Sequence, residues 1–196
     1  FLYDGSPLPS LWSFYPDECK VHLGTFSKTI VPGMRIAYLV SNPEVVHRLA
    51  LIKQATDLHT NNLGQWIVNA FLEEGLLREH IEKIRKTYKR RRDLMAASIK
   101  QHFPPVASYQ IPRGGMFFWV QIPASLNVFR LLEACLCKGV SFVLGSDFFI
   151  RQPVEHFYIR LNFTSMDEER IERGIFIIGE EMARLSERTE EVALAS

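Results

Sequence analysis

The sequence lacks the features that mark several large classes of protein. Its 196 residues include only three cysteines, too few for the disulfide framework of a small secreted domain, and their spacing fits no zinc site. The formal net charge is +1, so no charge excess points to nucleic acid or to an anionic membrane. No apolar run approaches the roughly 20 residues of a membrane span, and no charged-then-apolar leader indicates a signal peptide. These absences favour a globular protein of a reducing compartment, the cytoplasm.

Helical and strand patterns alternate along the chain, without internal repeats, which predicts a mixed α/β fold. Asn42-Pro43-Glu44 is typical of a helix start, and apolar residues at helical spacing predict a long helix that Pro104 follows. The predicted strands span residues 21–23, 35–40, 116–122, 140–144 and 157–163, and the predicted helices span residues 42–53, 64–74, 76–102, 126–138 and 167–185. We place a domain boundary near residue 75, which gives domains of residues 1–75 and 76–196.

The segment from Gly24 to Tyr38 contains the chemistry of a small anion site. Its one lysine, Lys28, follows a short strand, and hydroxyl side chains and an arginine lie close by in sequence. A phosphate suits such a set, because an arginine makes charge-assisted contacts and hydroxyls complete the acceptor shell. The amine of Lys28 could form a Schiff base with a carbonyl group. The competing interpretation is an ordinary solvated loop, since most loop lysines are exposed.

A longer pattern in this segment resembles a known family. Residues 25–28 match Ser/Thr-x-Ser-Lys, and residues 32–35 match Pro-Gly-x-Arg. This pattern resembles the cofactor-lysine segment of fold-type I, class I and II aminotransferases, which use pyridoxal 5'-phosphate (PLP). The 2-aminoadipate, kynurenine and aromatic aminotransferases are the most similar branch. The resemblance implies that Lys28 is the catalytic residue and holds PLP as a Schiff base, and that the cofactor phosphate binds Thr25, Ser27 and Arg35.

Three later segments agree with the family, in the family's order. Residues Arg113–Trp119 resemble its Gly-Gly-Met-Phe-x-Trp strand entry, and Val140–Phe149 resembles a following stretch, although Leu144 stands where proline is common. Residues Tyr158–Phe163 resemble the strand whose arginine binds the substrate α-carboxylate, a role that falls to Arg160. A half-buried arginine needs an anion, and a bidentate carboxylate matches it best. An internal salt bridge is the alternative.

The resemblance implies a fold, an activity and partners. Residues 1–75 would be the C-terminal part of the large PLP-binding domain, and residues 76–196 an α+β small domain that begins with a long connecting helix. The reaction would move an amino group between an amino acid and a 2-oxo acid, in a homodimer, with no metal, nucleic acid or membrane involved. The resemblance covers about half of a family member. Because the aspartate that pairs with the pyridinium nitrogen is expected before Phe1, we expect the isolated chain to be inactive.

Three other interpretations stay open at this point. The chain also resembles the effector domain of PLP-sensing winged-helix transcription regulators, which share the Gly24–Thr29 run, although the intact Arg160 strand favours the enzyme. The basic run from Lys83 to Arg92 could bind nucleic acid, although preceding glutamates and the absence of an aromatic platform favour a solvated helix. The chain could also be a folding or dimerisation remnant that self-associates through apolar surface. The sequence identifies neither the amino acid substrate nor the origin of a truncation.

Overall fold

The computed structural model describes residues 1–14, 20–123, 125–151 and 156–194. The chain forms two compact units, one made of Phe1–Gly5 with Arg85–Ser196 and the other of Ser6–Ile84. The predicted mixture of helices and strands is confirmed. The division between the units lies within a long helix, and the matching of these units to a large and a small domain stays a prediction.

The Ser6–Ile84 unit contains a two-stranded antiparallel sheet and two complete helices. Its elements are β1 (Val21–Thr25), β2 (Ala37–Ser41), α1 (Pro43–Thr56) and α2 (Asn62–Glu73). The predicted start of α1 is confirmed, because Asn42 Oδ1 accepts a hydrogen bond from Val45 N at 2.9 Å. Asn61 caps α2 in the same way, through Gly64 N at 3.1 Å. The side-chain amides therefore satisfy backbone donors that a helix start leaves open.

The hydrophobic core of this unit is small. Among its described residues, Ile36 and Val68 are the buried hydrophobic side chains. Many other large apolar side chains are exposed, such as Leu23 and Trp66, each 73% exposed. The helices and strands of this unit thus present apolar faces that its own side chains do not cover.

The second unit is a four-stranded antiparallel sheet with three helices. Its elements are the C-terminal part of α3 (Leu76–His102), β3 (Ser108–Tyr109), β4 (Phe117–Pro123), α4 (Val128–Cys137), β5 (Val143–Leu144), β6 (His156–Asn162) and α5 (Glu168–Leu194). The strand order is β3-β4-β6-β5, and every neighbouring pair is antiparallel. The strand order places β6 inside the sheet, with a neighbour on each side.

One face of this sheet forms the core of the unit. Phe118, Val120, Ile159 and Leu161 alternate with residues of the opposite face and are at most 4% exposed. They belong to a cluster that also contains buried residues of α3, α4 and α5. Because successive side chains of a strand point to opposite faces, the residues between them belong to the uncovered face.

The first residues of the chain are held against this unit by hydrogen bonds and ion pairs. Tyr3 N donates to Arg113 O at 2.8 Å. The Asp4 carboxylate accepts from Lys89 Nζ at 2.6 Å and from Arg92 Nη1. Arg92 is 4% exposed, and its Nη1 also donates to Pro112 O at 2.9 Å. The hydrogen bonds from Lys89 and Arg92 lower the pKa of the Asp4 carboxyl below its usual range.

Some element boundaries differ from those predicted. Strand β2 begins at Ala37 and not at residue 35, because Arg35 ends a short 3-10 turn over Pro32–Met34 in a left-handed conformation. Helix α5 continues to Leu194, beyond the predicted end at residue 185. The two-residue β3 was not predicted. No described helix is both long and apolar enough to span a membrane.

Candidate functional site

The predicted cofactor lysine lies in the connection between β1 and β2. Thr25 ends β1, and the pairing of Thr25 with Ala37 brings the two ends of this connection together. Phe26 N donates to Ile36 O at 3.1 Å, and Ile30 N donates to Phe26 O at 2.8 Å, so a closed turn surrounds Lys28. Lys28 is exposed, and its amine contacts no hydrogen-bonding or acidic group that the structure describes. The amine is thus free, within the described ranges, to meet a ligand.

The structure brings the three predicted phosphate ligands together. Ser27 N donates to Thr25 Oγ1 at 3.2 Å, and the two hydroxyl oxygens are 3.0 Å apart. Arg35 Nη1 lies 3.5 Å from Ser27 Oγ and 3.3 Å from Pro32 O. Two hydroxyls and one guanidinium therefore converge in the turn that contains the lysine.

The backbone of Arg35 is unusual in a way that favours this convergence. Its φ is 56°, the left-handed region, which few residues other than glycine adopt. Such conformations cost free energy and concentrate at functional sites, where the surroundings maintain them. Here the conformation follows the Pro32–Met34 turn and directs the chain so that the guanidinium reaches Ser27.

These donors fit a phosphate group. Thr25 and Arg35 are exposed and Ser27 is half-buried, so their polar atoms are open to a ligand. No carboxylate in the described part of the chain forms an ion pair with Arg35. A phosphate offers several acceptor oxygens, which suits a guanidinium and two hydroxyls at this spacing.

Arg160, the predicted carboxylate ligand, lies on β6 in the other unit. It is paired with Trp119 of β4 and Val143 of β5, on the sheet face that the core does not use. Its Nε is buried and has no hydrogen-bond partner among the described residues. The internal salt bridge that the sequence left open is not found within that part of the chain. Among the described residues, no carboxylate thus pairs with the Arg160 guanidinium, for which a bidentate carboxylate is a good geometric match.

Sequence reasoning did not find the aromatic surroundings of Arg160. Its Cζ lies 4.2 Å from the ring centroid of Phe117 and 4.6 Å from that of Phe148. The period-two alternation of β4 could have indicated Phe117, because residues two apart share one face of a strand. Phe148 lies in the Val140–Phe149 stretch that resembles the family, but nothing in that stretch indicated a contact with Arg160, and Phe148 lies outside the regular strands.

The basic run of α3 is largely occupied by internal contacts. Lys89 and Arg92 form ion pairs with Asp4. Glu168 Oε1 lies 2.6 Å from Arg90 Nη2 and 3.7 Å from Arg91 Nε. These contacts favour a structural role of the run over nucleic-acid binding.

Within the part of the chain that the structure describes, no metal site accompanies these groups. The described part of the chain has no cluster of three or more His, Cys, Asp or Glu that could hold a metal ion. Cys135 is buried and Cys137 exposed, and both are free thiols, while Cys19 lies outside the described residues.

Comparison with known proteins identifies the family. The family model for aminotransferase class I and II matches residues 2–178. Aromatic-amino-acid aminotransferase 1 of Thermococcus litoralis is 37% identical over 173 residues, which are 88% of this chain and 41% of that protein. The crystal structure of LysN, an alpha-aminoadipate aminotransferase of Thermus thermophilus complexed with N-(5'-phosphopyridoxyl)-L-leucine, superposes with a TM-score of 0.86 at 33% identity. That superposition covers 94% of this chain and 48% of LysN.

A transcription regulator is also similar. The HTH-type regulator YdfD of Bacillus subtilis, itself uncharacterized, is 33% identical over 86% of this chain and 34% of its own length.

The chain spans less than half the length of the curated relatives that it matches. The family match over most of the chain, together with the superposition on a solved aminotransferase, confirms the resemblance and the fold class that the motifs predicted. The chain belongs to the class I and II aminotransferase family, the fold-type I PLP enzymes.

Proposed function

We propose that the protein containing this chain is a PLP-dependent aminotransferase that moves an amino group between an amino acid and a 2-oxo acid. Lys28 holds the cofactor through its amine, Thr25, Ser27 and Arg35 bind the cofactor phosphate, and Arg160 binds the substrate α-carboxylate. The observation that carries this proposal is the convergence of two hydroxyls and a guanidinium in the turn of Lys28. The chain belongs to a family whose cofactor has the phosphate that these groups fit.

Each residue has a separate task in this proposal. When bound, PLP supplies an electron sink for the charge that develops at the substrate Cα. Arg160 fixes the carboxylate and so orients the Cα–H bond. Once the amino group of the substrate has displaced the Lys28 amine from the cofactor, the freed amine would accept the proton that leaves Cα and pass it on during the transfer. The phosphate ligands keep the cofactor in place throughout.

The isolated chain is expected to be inactive. It supplies a lysine, three phosphate ligands and a carboxylate ligand, while it spans less than half the length of its aminotransferase relatives. The family's pyridinium aspartate has no counterpart in this sequence. Amino transfer by the isolated chain within tenfold of the rate of a full-length relative would contradict this expectation.

An amino-transfer assay of the complete protein tests the proposal. Aromatic amino acids, kynurenine and 2-aminoadipate serve as donors and a 2-oxo acid as the acceptor, and product formation is measured. Lys28→Ala is expected to abolish the reaction, because no other group then exchanges the Cα proton. Arg160→Gln is expected to raise the KM for the amino acid. Activity of Lys28→Ala close to that of the unchanged protein would refute the assignment.

A second candidate function is PLP-dependent regulation of transcription, which the similarity to YdfD supports. The same lysine and phosphate ligands would then report the presence of the cofactor without turnover. PLP-dependent binding of the complete protein to duplex DNA, with no amino transfer from any donor, would favour regulation. Turnover without DNA binding would favour the enzyme.

The remaining assignments are also proposals. We infer a homodimer from the family, and a cytoplasmic location from the family and the scarce cysteines. Light scattering of the complete protein measures its oligomeric state, and fractionation of its source cells locates it.

A further inference from the structure

We infer that Phe117 and Phe148 position the guanidinium of Arg160 for an incoming carboxylate. This inference rests on the proposed carboxylate role of Arg160. It concerns two residues that touch the arginine and that no motif assigns to the site.

Strand register brings Phe117 next to Arg160. Trp119 pairs directly with Arg160, and Phe117 pairs with Asn162, two residues further along β6. Residues two apart on a strand share a face, so Phe117 is a diagonal neighbour of Arg160 across the β4–β6 pair. Its ring centroid is 4.2 Å from Arg160 Cζ, which is within the range of a cation–π contact.

Phe148 reaches the same guanidinium from a separate element. It ends a short 3-10 turn over Gly145–Phe148, and its ring centroid is 4.6 Å from Arg160 Cζ. The turn is pressed closely against β6. A Cβ built on Gly145 would lie 2.7 Å from the backbone oxygen of Tyr158, a distance that no real side chain tolerates. The Phe148 ring also meets Trp119 edge-on, with 5.6 Å between the ring centroids.

These contacts hold Phe148 from one side, while about half of the residue (51%) is exposed. The close approach at Gly145 restricts the backbone of its turn, and its ring packs against Trp119. Trp119 in turn stacks on Tyr158, with centroids 5.5 Å apart and planes 20° apart. The ring against Arg160 is therefore part of a continuous aromatic cluster and not a lone exposed side chain.

The two rings orient the Arg160 guanidinium before a ligand binds. Ring faces attract the face of a guanidinium, whereas its N–H groups point outward in its own plane. A carboxylate binds in that plane through two parallel hydrogen bonds. The two rings thus restrict the rotamers of a long, flexible side chain, and no described residue accepts a hydrogen bond from its buried Nε. Preorganisation of this kind raises affinity because less freedom is lost on binding.

Nuclear magnetic resonance of the ¹⁵N-labelled chain tests both the binding of a carboxylate by Arg160 and the effect of the two rings on that binding. The Arg160 Nε–H signal is assigned by its loss in Arg160→Lys, and propanoate, a carboxylate without an amino group, is then titrated. We expect an Arg160 Nε–H signal shifted upfield by the nearby rings, and saturable binding of propanoate. Phe117→Leu and Phe148→Leu are each expected to weaken that binding roughly two- to tenfold and to reduce the ring shift, given the usual strength of cation–π contacts.

Two control variants separate positioning from general damage. Phe129→Leu removes a ring from α4 that is also largely exposed, and it is expected to change neither the Arg160 signal nor the affinity. Phe148→Tyr retains the ring face and is expected to restore the affinity that Phe148→Leu loses.

The outcomes distinguish the carboxylate role of Arg160 from the positioning role of Phe117 and Phe148. Absence of any propanoate effect on Arg160 in the unchanged chain would refute the carboxylate role, and the inference with it. Binding that is equally tight in both leucine variants, with Arg160 shifts unchanged, would overturn the positioning role of the rings and leave the proposed function intact.

Discussion

Arg35 combines an unfavourable backbone conformation with a guanidinium that lies beside a hydroxyl. Its left-handed φ of 56° follows a proline-glycine turn, and its guanidinium then lies beside the Ser27 hydroxyl. The free-energy cost of such a conformation in a residue other than glycine is of order 1–3 kcal/mol. In the protein with bound cofactor, the contacts of a phosphate with Ser27, Thr25 and Arg35 would offset this free-energy cost.

Removal of the Arg35 charge should weaken binding of PLP but not of pyridoxal, which lacks the phosphate. A hydrogen bond to a charged group contributes about 1.5–3 kcal/mol, so Arg35→Gln should lower the affinity for PLP by roughly ten- to hundredfold. Equilibrium titration with both ligands measures the effect.

A matched control lies in the same unit. Arg48 is an exposed arginine of α1 that pairs with Glu44, and Arg48→Gln should leave both affinities unchanged. An equal loss of PLP and pyridoxal affinity in Arg35→Gln would contradict a phosphate-specific role.

The residues of the candidate site were predictable from sequence to different degrees. Lys28, Ser27 and Arg35 stand in a long local pattern, so their proximity follows from one short segment of chain. Phe148 approaches Arg160 through a turn packed against another strand, a tertiary contact with no local signature. Assignment of roles to these residues stays a prediction.

At the scale of elements, α3 and α5 are so close at Gly179 that a side chain at this position would not fit between them. A Cβ built on Gly179 of α5 would lie 2.3 Å from His102 O at the end of α3. We expect Gly179→Ala to destabilise the unit by about 1–3 kcal/mol through overpacking, despite the better helix propensity of alanine. Urea unfolding followed by circular dichroism measures the change.

The same helix supplies the control for this prediction. A Cβ on Gly174 would meet its nearest neighbour, Val140 Cγ1, at 4.0 Å, an ordinary contact. Gly174→Ala should therefore be neutral or stabilising by up to about 1 kcal/mol. Equal stability of the two alanine variants would mean that the helices are not in close contact at Gly179.

The attachment of the first residues to α3 should depend on pH. The pKa of Asp4 is lowered by hydrogen bonds from Lys89 and Arg92. A carboxyl group with a lowered folded-state pKa stabilises the fold above its unfolded pKa, about 3.9, and this stabilisation is lost as the pH falls through the folded-state value. Asp4→Asn should be less stable than the unchanged chain at neutral pH, and the difference should shrink below about pH 4.

Urea unfolding between pH 3 and pH 7 checks this dependence. Asp167→Asn is a suitable control, because Asp167 caps α5 through Arg170 N at 2.9 Å and asparagine can retain that cap. A difference between Asp4→Asn and the unchanged chain that stays constant over the whole range would show that the Asp4 charge contributes nothing.

Most elements were predictable because their signals are local. The cap at Asn42 and the apolar spacing of α3 fixed the type and starting point of two helices. The start of β2 was predicted too early because an arginine in the sequence gives no sign that its backbone is left-handed. Strand β3 was missed because two residues are too few to show a period-two pattern. Helix α5 runs past its predicted end through residues 186–194, which include alanine, leucine and glutamate, all good helix formers.

At the scale of the whole molecule, the two units differ in how well they cover their apolar residues. The unit with the four-stranded sheet has a large buried cluster, whereas Ser6–Ile84 buries only Ile36 and Val68 among its described hydrophobic residues. Large side chains of the latter unit are more than 60% exposed, namely Leu8, Leu11, Phe14, Leu23, Ile52, Leu58, Leu63 and Trp66. Exposed apolar surface of this extent is typical of interaction sites.

The isolated chain should therefore self-associate. Multi-angle light scattering at increasing protein concentration is expected to give masses above the 22.6 kDa of one chain. Trp66→Lys, which places a charge on the exposed face of α2, should reduce that association. A single monomeric mass at all concentrations would count against it.

The central claim is that Lys28 is the cofactor lysine, and its most direct test is chemical. The purified chain is titrated with PLP and reduced with borohydride, and the modified peptides are identified by mass spectrometry, with Lys28→Arg as the control. We predict a stable adduct on Lys28, absent from Lys28→Arg, because the phosphate ligands beside it retain PLP there. Adducts spread over many lysines, or no adduct at all, would contradict a cofactor site formed by this chain.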